Sequence, residues 1–418
     1  MKPHTLLPSG LTLLFLFLFL FSCEKEDNSL PLQDLKPIPV DTKTAQVIEG
    51  NNRFGFDLFR EVLKVEEEEG KNVMISPLSV ELALAMTANG AAGNTLEAFR
   101  ELFHANDLPE EDLNTSLHDL SKALMEVDPR VIMEIANSIW YRNTFEVEKD
   151  FLEVNKTFFN AEIRPLDFDN PRSVGIINGW VDKKTHHRIP TILNGIDRSA
   201  VMYLINAIYF KGQWKYSFDK EATRPEPFHP TPETTVEVPM MQRQGDIPYF
   251  ANGLFSAVEL PYGRGNFSMI ILLPLPGKSL DEVTEALTPE RWHEWMQSFD
   301  TLRDVVLHLP RFRFSYEKEL NDPLTRLGLG IAFSHRADFS RINPEVSLEI
   351  SEVKHKTFIQ VDEEGTEAAA VTLVGIRVTS AGPPPSLHID RPFLFIIREK
   401  STDTILFIGR VTDPSAKT

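Results

Sequence analysis

The sequence predicts an α+β fold built as one domain. Helical periodicity dominates the first third of the chain, and apolar strand-like segments dominate the last third. No second linker, repeat or low-complexity block interrupts residues 47–418. With 418 residues, of which 42% are hydrophobic and 10% aromatic, the chain can fill a large core. Together these features indicate helices and strands that share one core.

Three helices are predicted in the first third of the chain. The second of them is Ala-rich, with Ser79 as the expected N-cap and Gly90 as the residue that closes it. The three predicted helices cover residues 52–65, 79–90 and 94–103.

Long apolar segments rich in Val, Ile and Tyr predict two central strands, at residues 131–141 and 201–210. Shorter apolar segments predict the remaining strands. These lie at residues 257–260, 267–273, 305–314, 358–361, 393–398 and 404–411.

The N-terminus has the pattern of an export signal. Lys2 precedes an apolar run of about eleven residues at positions 11–21, whereas a membrane-spanning helix needs roughly 20. We therefore expect residues 1–22 to be a signal peptide. Cys23 is the only cysteine, so it has no partner for an internal disulfide, and the segment that ends in it resembles a bacterial lipobox. We expect Cys23 to be lipidated; an ordinary secretory signal with an incidental cysteine is the alternative.

Residues 23–46 are polar and punctuated by Pro31, Pro37 and Pro39, which favour extended backbone, so we expect a tether. The acidic start at Cys23 resembles the surface-export signal of Bacteroidetes lipoproteins. We expect the chain to lie at the bacterial outer membrane, held there only through the lipid anchor. We expect it to face the cell surface or the extracellular space. The folded domain is expected at residues 47–418.

The formal net charge of −18 argues against nucleic acid and heparin-like polyanions as partners, because both require clustered Lys and Arg. Solubility alone is an alternative reason for the acidity.

Enzyme motifs are absent from the sequence. It contains no Gly-x-Ser-x-Gly elbow, His-Glu-x-x-His helix or phosphate-binding Gly-rich loop. His186 and His187 are adjacent, and on a helix they would face different directions, which disfavours a shared metal. Eleven histidines leave a catalytic triad open, because a triad is set by geometry. We expect no enzymatic activity, no metal and no cofactor.

Seven segments resemble one family in order along the chain. They are residues 72–93 (NVMISPLSVELALAMTANGAAG), 204–214 (LINAIYFKGQW), 238–241 (VPMM), 309–314 (LPRFRF), 324–333 (LTRLGLGIAF), 361–370 (VDEEGTEAAA) and 391–414. From residue 47 to 418 the chain is similar to the serpins, a family of serine protease inhibitors. The resemblance implies a monomer with three β-sheets, eight or nine helices and an exposed reactive-centre loop.

The side chains of residues 365–378 would suit insertion into a sheet as a new strand. One parity is uncharged, whereas Glu367 and Arg377 both fall on the other parity. Such a strand would bury no charge on one of its faces. Burying an unpaired charge there would cost several kcal/mol. A merely flexible Ala-rich loop is the alternative. The uncharged parity consists of Thr366, Ala368, Ala370, Thr372, Val374, Ile376 and Val378.

The resemblance also implies a mechanism. A serine protease attacks the loop, forms an acyl-enzyme, and is trapped when the freed hinge inserts into the central sheet. The implied hinge residues are Glu363, Gly365, Thr366, Glu367, Ala368, Ala369 and Ala370.

The sequence leaves several positions open for the reactive bond. Counting about fourteen residues from Gly365, as in the family, places it at Thr379-Ser380, which would suit an elastase-like or subtilisin-like protease. Counting back from Pro392 points to about Ala381, so the loop is about two residues longer than usual. Arg377 would instead attract a trypsin-like protease.

By the same resemblance, a polar cluster under the sheet, the shutter, consists of Ser76, Ser79, Asn206 and His355. Trp214 and Glu363 match the breach, where insertion starts. A core histidine without a special role is the alternative for His355.

Two other function classes stay open. A non-inhibitory serpin would be a binding protein or chaperone, although the small hinge residues favour inhibition. A lipid-anchored adhesion protein would require the family resemblance to be accidental. Heparin dependence is not expected, because residues 112–128 contain only Lys122 and His118 as possible cations.

Overall fold

The computed structural model describes residues 35–66, 70–367 and 384–416. Within these ranges the helices fall mainly in the first third, as predicted, whereas the strands extend over the last two thirds and not only the last third. No helix there is long and apolar enough to cross a membrane. The helices are α1 (Thr42–Lys64), α2 (Pro77–Ala88), α3 (Gly93–Leu102), α4 (Glu110–Glu126), α5 (Lys149–Phe159), α6 (Ser173–Lys184), α7 (Leu280–Glu285), α8 (Pro289–Gln297), α9 (Asn321–Arg326) and a 3-10 helix (Leu329–Phe333).

The strands of the described ranges form a six-stranded sheet and a nine-stranded network. They are β1 (Val73–Ile75), β2 (Val131–Arg142), β3 (Glu162–Leu166), β4 (Met202–Gln213), β5 (Asp219–Thr231), β6 (Thr234–Ala251), β7 (Phe255–Pro261), β8 (Phe267–Pro274), β9 (Asp300–Pro310), β10 (Phe312–Glu319), β11 (Lys354–Asp362), β12 (Gly365–Thr366), β13 (Ser386–His388), β14 (Phe393–Glu399) and β15 (Ile405–Val411).

The first helix begins before the expected domain boundary. It starts at Thr42, with the side chain of Asp41 as its cap, so the boundary expected at residue 47 lies inside the helix. Upstream, the backbone N–H of Ile38 donates to the Ser401 hydroxyl at 2.9 Å, and the Ile38 side chain is buried. The last part of the expected tether therefore packs on the folded domain.

The N-cap of α2 is Ser76, so the prediction of Ser79 was wrong. The Ser76 hydroxyl accepts a hydrogen bond from the backbone N–H of Ser79 at 3.3 Å. The helix starts three residues earlier than expected because Pro77 occupies its first turn, where a fixed φ and a missing N–H are tolerated.

The six-stranded sheet has the order β10-β11-β12-β4-β2-β3. The two predicted central strands are β2 and β4, which pair antiparallel from Val131↔Gly212 to Tyr141↔Met202. The main core covers one face of this sheet. A smaller apolar cluster beneath α6 covers the other face, with Trp140 and Ile205 among its members. Burial on both faces explains why these strands are apolar along most of their length.

The three expected sheets are joined into two hydrogen-bonded sets in the described residues. The long strand β6 pairs with β5 and β9 over most of its length and with β7 only at Tyr249–Ala251. It therefore connects a sheet of β5, β6, β9 and β13 to a sheet of β1, β15, β14, β8 and β7.

The single strand predicted at residues 305–314 is two strands. Pro310 ends β9 in the nine-stranded network, and Phe312 begins β10 in the six-stranded sheet. Between them the backbone N–H of Arg311 donates to the Pro239 carbonyl at 2.9 Å. Pro310 and Arg311 interrupt the alternation here, because the alternating buried positions before them are odd-numbered and those after them are even-numbered. This shift was the available signal, and the prediction of one strand missed it.

Candidate functional site

A strand of two residues separates the upper ends of β11 and β4. This strand, β12, pairs with β11 through Val361↔Thr366 and with β4 through Thr366↔Gly212. Beyond Thr366, β11 and β4 have no pairing with each other in the described residues. Among the described residues, the two strands therefore leave a slot in the middle of the sheet, and neither of its edges has a ladder partner there.

A cavity of about 420 Å³ lies along this slot. Its walls are the facing residues of β4 and β11, the start of α2, and the segment that precedes β11. The hinge residues Thr366 and Glu367 line its upper end, and His355 and Asn206 lie farther down.

The four predicted shutter residues lie together under the slot. The backbone N–H of Ser76 donates to Nε2 of His355 at 3.0 Å, which links α2 to β11. The Ser79 hydroxyl donates to Oδ1 of Asn206 at 2.5 Å, which links α2 to β4. The first turn of α2 thus contacts both edges of the slot. The function of these contacts stays a prediction.

His355 is uncharged in this environment. Burial lowers the pKa of its imidazole from 6.5 to about 4, because the charged ring would lose its hydration. The hydrogen bond from Ser76 requires a bare Nε2 and favours the same neutral form.

The sequence interpretation missed one member of this polar cluster. The side-chain N–H of Asn206 donates to Oδ1 of Asn137 on β2 at 2.7 Å. Asn137 in turn donates to the Phe159 carbonyl at the end of α5, also at 2.7 Å. A single Asn inside the apolar segment of β2 was the available signal.

Trp214 fixes the turn that leads into the hinge. Its indole N–H donates to the Asp362 carbonyl at 2.9 Å, and its backbone N–H donates to the Glu364 carbonyl at 2.8 Å. The indole stacks on the Tyr262 ring at 4.4 Å between centroids and 12° between planes. The hydroxyl of Tyr262 lies 2.7 Å from the hydroxyl of Thr366. Trp214 and the hinge are thereby connected through Tyr262.

Glu363, the other predicted breach residue, is paired with an arginine. Its two carboxylate oxygens accept hydrogen bonds from Nε of Arg311 at 2.7 and 2.9 Å, and Thr223 donates to one of them. Burial by itself would raise the pKa of Glu363, but these hydrogen bonds hold it below its ordinary value. The carboxylate is therefore ionised, and it ties the turn after β11 to the residue between β9 and β10.

The hinge enters the sheet at Gly365 because no side chain fits there. The φ of Gly365 is 150°, and a Cβ at this position would lie 2.1 Å from the Gly212 carbonyl oxygen. Sheet pairing ends at Glu367, whose φ of 56° turns the backbone away from the strand direction. The Glu367 carboxylate forms an ion pair with Arg188, with 2.9 Å between Nε and Oε1.

The remaining predicted residues lie outside the described ranges. These are the lipidation site Cys23, the hinge residues Ala368, Ala369 and Ala370, the reactive-bond residues Thr379 and Ser380, and the alternative Arg377.

The His186-His187 pair lies just beyond the end of a helix. Helix α6 ends at Lys184, and both histidines have positive φ, 49° and 64°. Nε2 of His186 lies 3.1 Å from Glu134, whereas Nδ1 of His187 lies 2.6 Å from Asp182. The two rings have separate carboxylate partners.

Comparison with known families identifies the chain. The family model described as "Serpin (serine protease inhibitor)" matches residues 49–414. The chain belongs to the serpin family. The expected fold is therefore confirmed.

Relatives of this serpin include both inhibitors and binding proteins. The chain is 35% identical over 381 residues to leukocyte elastase inhibitor of Sus scrofa. The alignment covers 88% of this chain and 100% of that protein. It is 34% identical to neuroserpin of Gallus gallus, covering 83% of this chain and 87% of that protein.

Among solved structures, human thyroxine-binding globulin matches with a TM-score of 0.82 and 28% identity, covering 90% of this chain and 100% of that one. The thermophilic serpin tengpin in its native state matches with a TM-score of 0.78 and 33% identity, covering 91% and 97%. Family membership is consistent with a protease inhibitor and not with an enzyme, but these relatives differ in function.

Proposed function

We propose that this serpin is an irreversible inhibitor of serine endopeptidases that traps its target by inserting the hinge segment into the slot. The observation that carries the proposal is the position of β12, which already occupies the upper end of the slot between β11 and β4. An extended segment can add to an unpaired strand edge because its backbone supplies the missing ladder hydrogen bonds.

The register of β12 predicts where an inserted strand would lie. Thr366 faces Val361 on β11 and Gly212 on β4. Six residues further along, Thr372 would face both His355 and Asn206. Insertion would therefore bring a small polar side chain directly onto the polar cluster under the sheet.

The same register distributes the side chains between the two faces of the sheet. Residues of one parity would face the main core, like Thr366, whose side chain is 3% exposed. The residues that follow it with this parity are Ala368, Ala370, Thr372 and Val374, all small or apolar. Glu367 and Arg377 would face the other side, so no charge enters the main core.

Insertion of the segment as a strand would add ladder hydrogen bonds to both edges of the slot. About ten inserted residues would form on the order of ten ladder hydrogen bonds, at roughly 0.5–1.5 kcal/mol each, or on the order of 10 kcal/mol together. A native state that withholds this pairing is metastable and persists because the barrier to insertion is high.

In the proposed trap, the protease supplies the chemistry and the serpin supplies the movement. The hydroxyl of the protease serine attacks the carbonyl carbon of Thr379, the bond to Ser380 breaks, and the released α-amino group takes the proton. Thr379 stays attached to the protease as an ester. Insertion then pulls the protease along the sheet and distorts its active site before water cleaves the ester.

The residues before the bond suggest the class of target. Thr379 preceded by Val378 suits elastase-like or subtilisin-like proteases with small apolar specificity pockets. Cleavage after Arg377 would suit a trypsin-like protease instead, and Ala381 is the further alternative. We also propose that the chain is exported, lipidated at Cys23 and held at the bacterial outer membrane, where external proteases would meet it.

Incubation of the protein with elastase, subtilisin and trypsin in separate reactions tests the proposal. A denaturant-resistant complex on a gel, with a released peptide that begins at Ser380, is the expected result. The matched control is the same protease with its active-site serine blocked, which should give no complex. Cleavage without a complex would reject the inhibitory function in favour of a non-inhibitory binding serpin.

A further inference from the structure

Three potential metal ligands meet on the sheet formed by β5, β6, β9 and β13, away from the slot. They are Glu226 on β5, His308 on β9 and His388 on β13, and their ligand atoms lie within 4.8 Å of one another. Oε2 of Glu226 is 3.1 Å from Nδ1 of His308 and 4.0 Å from Nδ1 of His388. These distances bracket the separation of about 3.3 Å between ligands on a tetrahedral ion with bonds of about 2.0–2.1 Å.

The sheet register brings the three side chains together. His308 is the direct cross-strand partner of His388 on one side and of Gln242 on the other. Directly opposed residues project from the same face of a sheet, so this row is fixed by the backbone. Glu226, on the next strand, reaches the row beside Gln242.

We propose that Glu226, His308 and His388 form a binding site for a divalent ion of the zinc type, with water completing the coordination. Two imidazoles and one carboxylate suit Zn²⁺, and also Co²⁺ or Ni²⁺, whereas Ca²⁺ and Mg²⁺ prefer all-oxygen sites. This proposal departs from the sequence-based expectation that the chain has no metal site.

Two neighbours orient the ligands. The Gln242 side chain donates to Oε1 of Glu226 at 2.8 Å, which leaves Oε2 facing the histidines. Nε2 of His388 lies 3.2 Å from the Ser386 hydroxyl. The tautomer that donates from Nε2 to this hydroxyl presents the Nδ1 lone pair to the cluster. Hydrogen bonds of this kind to the far side of a ligand are a regular feature of metal sites.

One ring must rotate when the ion binds. The rings of His308 and His388 are stacked, with 3.9 Å between centroids and 19° between planes. A single ion cannot lie close to both nitrogens and in both ring planes while the rings are nearly parallel. His388 has room to rotate because 42% of its side chain is exposed, whereas His308 is held with 12% exposed.

A bound ion would fasten β13 to the sheet. This strand has three residues and pairs in parallel with β9 alone among the described strands. Strand β13 begins at Ser386, soon after residues 368–383, which contain the proposed reactive bond. Coordination of His388 would add a cross-link from β13 to both β9 and β5, at the C-terminal end of the bait segment.

Titration of the metal-free, untagged protein with zinc sulfate tests the site by calorimetry, and Co²⁺ provides an absorbance probe of the coordination. One ion per chain is expected, and affinity should fall at least 10-fold in His388→Ala and in Glu226→Gln. Ser386→Ala should weaken binding less, because it removes an orienting group and not a ligand. His335→Ala, which removes an exposed histidine elsewhere, should bind as the unmodified protein does.

Hydrogen exchange provides a second readout that does not depend on inhibition. Zn²⁺ should slow amide exchange in residues 386–390 of the unmodified protein and leave it unchanged in His388→Ala. The proposal is overturned if no ion binds, or if both ligand variants retain the full affinity. Because Glu226 and His388 are partly exposed, these substitutions are expected to leave the fold intact.

Discussion

Nε2 of His355 accepts a hydrogen bond from the backbone N–H of Ser76 at 3.0 Å. This contact connects β11, one edge of the slot, to the N-terminus of α2. It exists only while the imidazole is neutral, because a protonated Nε2 would point a hydrogen at the Ser76 N–H. The contact between α2 and β11 is therefore coupled to the protonation of one side chain.

Acid should destabilise the native protein through His355. The pKa of this residue is about 4 in the folded protein and 6.5 in the reference state, so folding favours the neutral form. The resulting stabilisation is fully present above pH 6.5 and is lost as the pH falls through 4, by up to about 3 kcal/mol. His355→Gln keeps an acceptor for Ser76 but does not titrate. Its thermal midpoint should fall less than that of the unmodified protein between pH 7.5 and 4.5.

His335→Gln is the matched control for this measurement, since it removes an exposed histidine. It should keep the pH dependence of the unmodified protein. An equal fall in the midpoint for His355→Gln would show that His355 does not couple protonation to stability.

The ion pair between Arg311 and Glu363 should stabilise the native breach. Arg311→Met removes the guanidinium and leaves a carboxylate whose side chain is 2% exposed without its main partner. We expect the unfolding free energy to fall by about 1–3 kcal/mol, measured by urea denaturation. Arg313→Met, two residues along β10, removes a guanidinium that lies over the Phe358 ring and should cost under about 1 kcal/mol. Equal effects of the two substitutions would contradict a special role for Glu363.

Gly365→Ala should expel the hinge from the sheet. The new Cβ would meet the Gly212 carbonyl oxygen at 2.1 Å and Cα of Gln213 at 2.8 Å, so β12 has to move. Displacement should cost about 1–3 kcal/mol and shift the Trp214 fluorescence to the red, because the indole loses its enclosed position. Gly253→Ala, where a Cβ meets nothing within 4 Å, is the control and should leave the emission unchanged. Unaltered emission in Gly365→Ala would show that β12 does not depend on this glycine.

Thr366→Arg should convert the proposed inhibitor into a substrate. The Thr366 side chain is already buried in the sheet and its hydroxyl contacts Tyr262, so a guanidinium in its place would displace β12, the point from which insertion would proceed. The protease would then hydrolyse the ester before the strand forms. On a gel, cleaved serpin should replace the covalent complex. Thr366→Ser retains the hydroxyl and should still form the complex; if Thr366→Arg does so equally well, strand insertion is not the mechanism.

The sequence was most informative where a short motif maps onto a local structure. The segment around Gly365 predicted the entry of the hinge, and it is at Gly365 and Thr366 that β12 forms. The apolar segments that contain Asn137 and Asn206 predicted the paired strands β2 and β4. The entry of the hinge was predicted from the family resemblance, whereas the two strands were predicted from the composition of their apolar segments.

What the sequence did not reveal depends on contacts between distant strands. The partnership of Arg311 with Glu363 arises because the chain changes sheets between β9 and β10, which brings together two residues that are 52 positions apart. Glu226 and His308 are 82 positions apart in the chain and meet only through the register of the sheet. The N-cap of α2 was misplaced because Ser76 and Ser79 both precede the same helix, and the choice between them depended on Pro77.

The melting temperature before and after cleavage in residues 368–383 tests strand insertion most directly. A protease that cuts this segment without being trapped is added in trace amount and then inactivated, and both forms are followed by circular dichroism. If the freed segment fills the slot, on the order of ten new ladder hydrogen bonds should raise the midpoint by on the order of 10 °C or more. An unchanged or lower midpoint after cleavage would contradict insertion of the segment between β11 and β4.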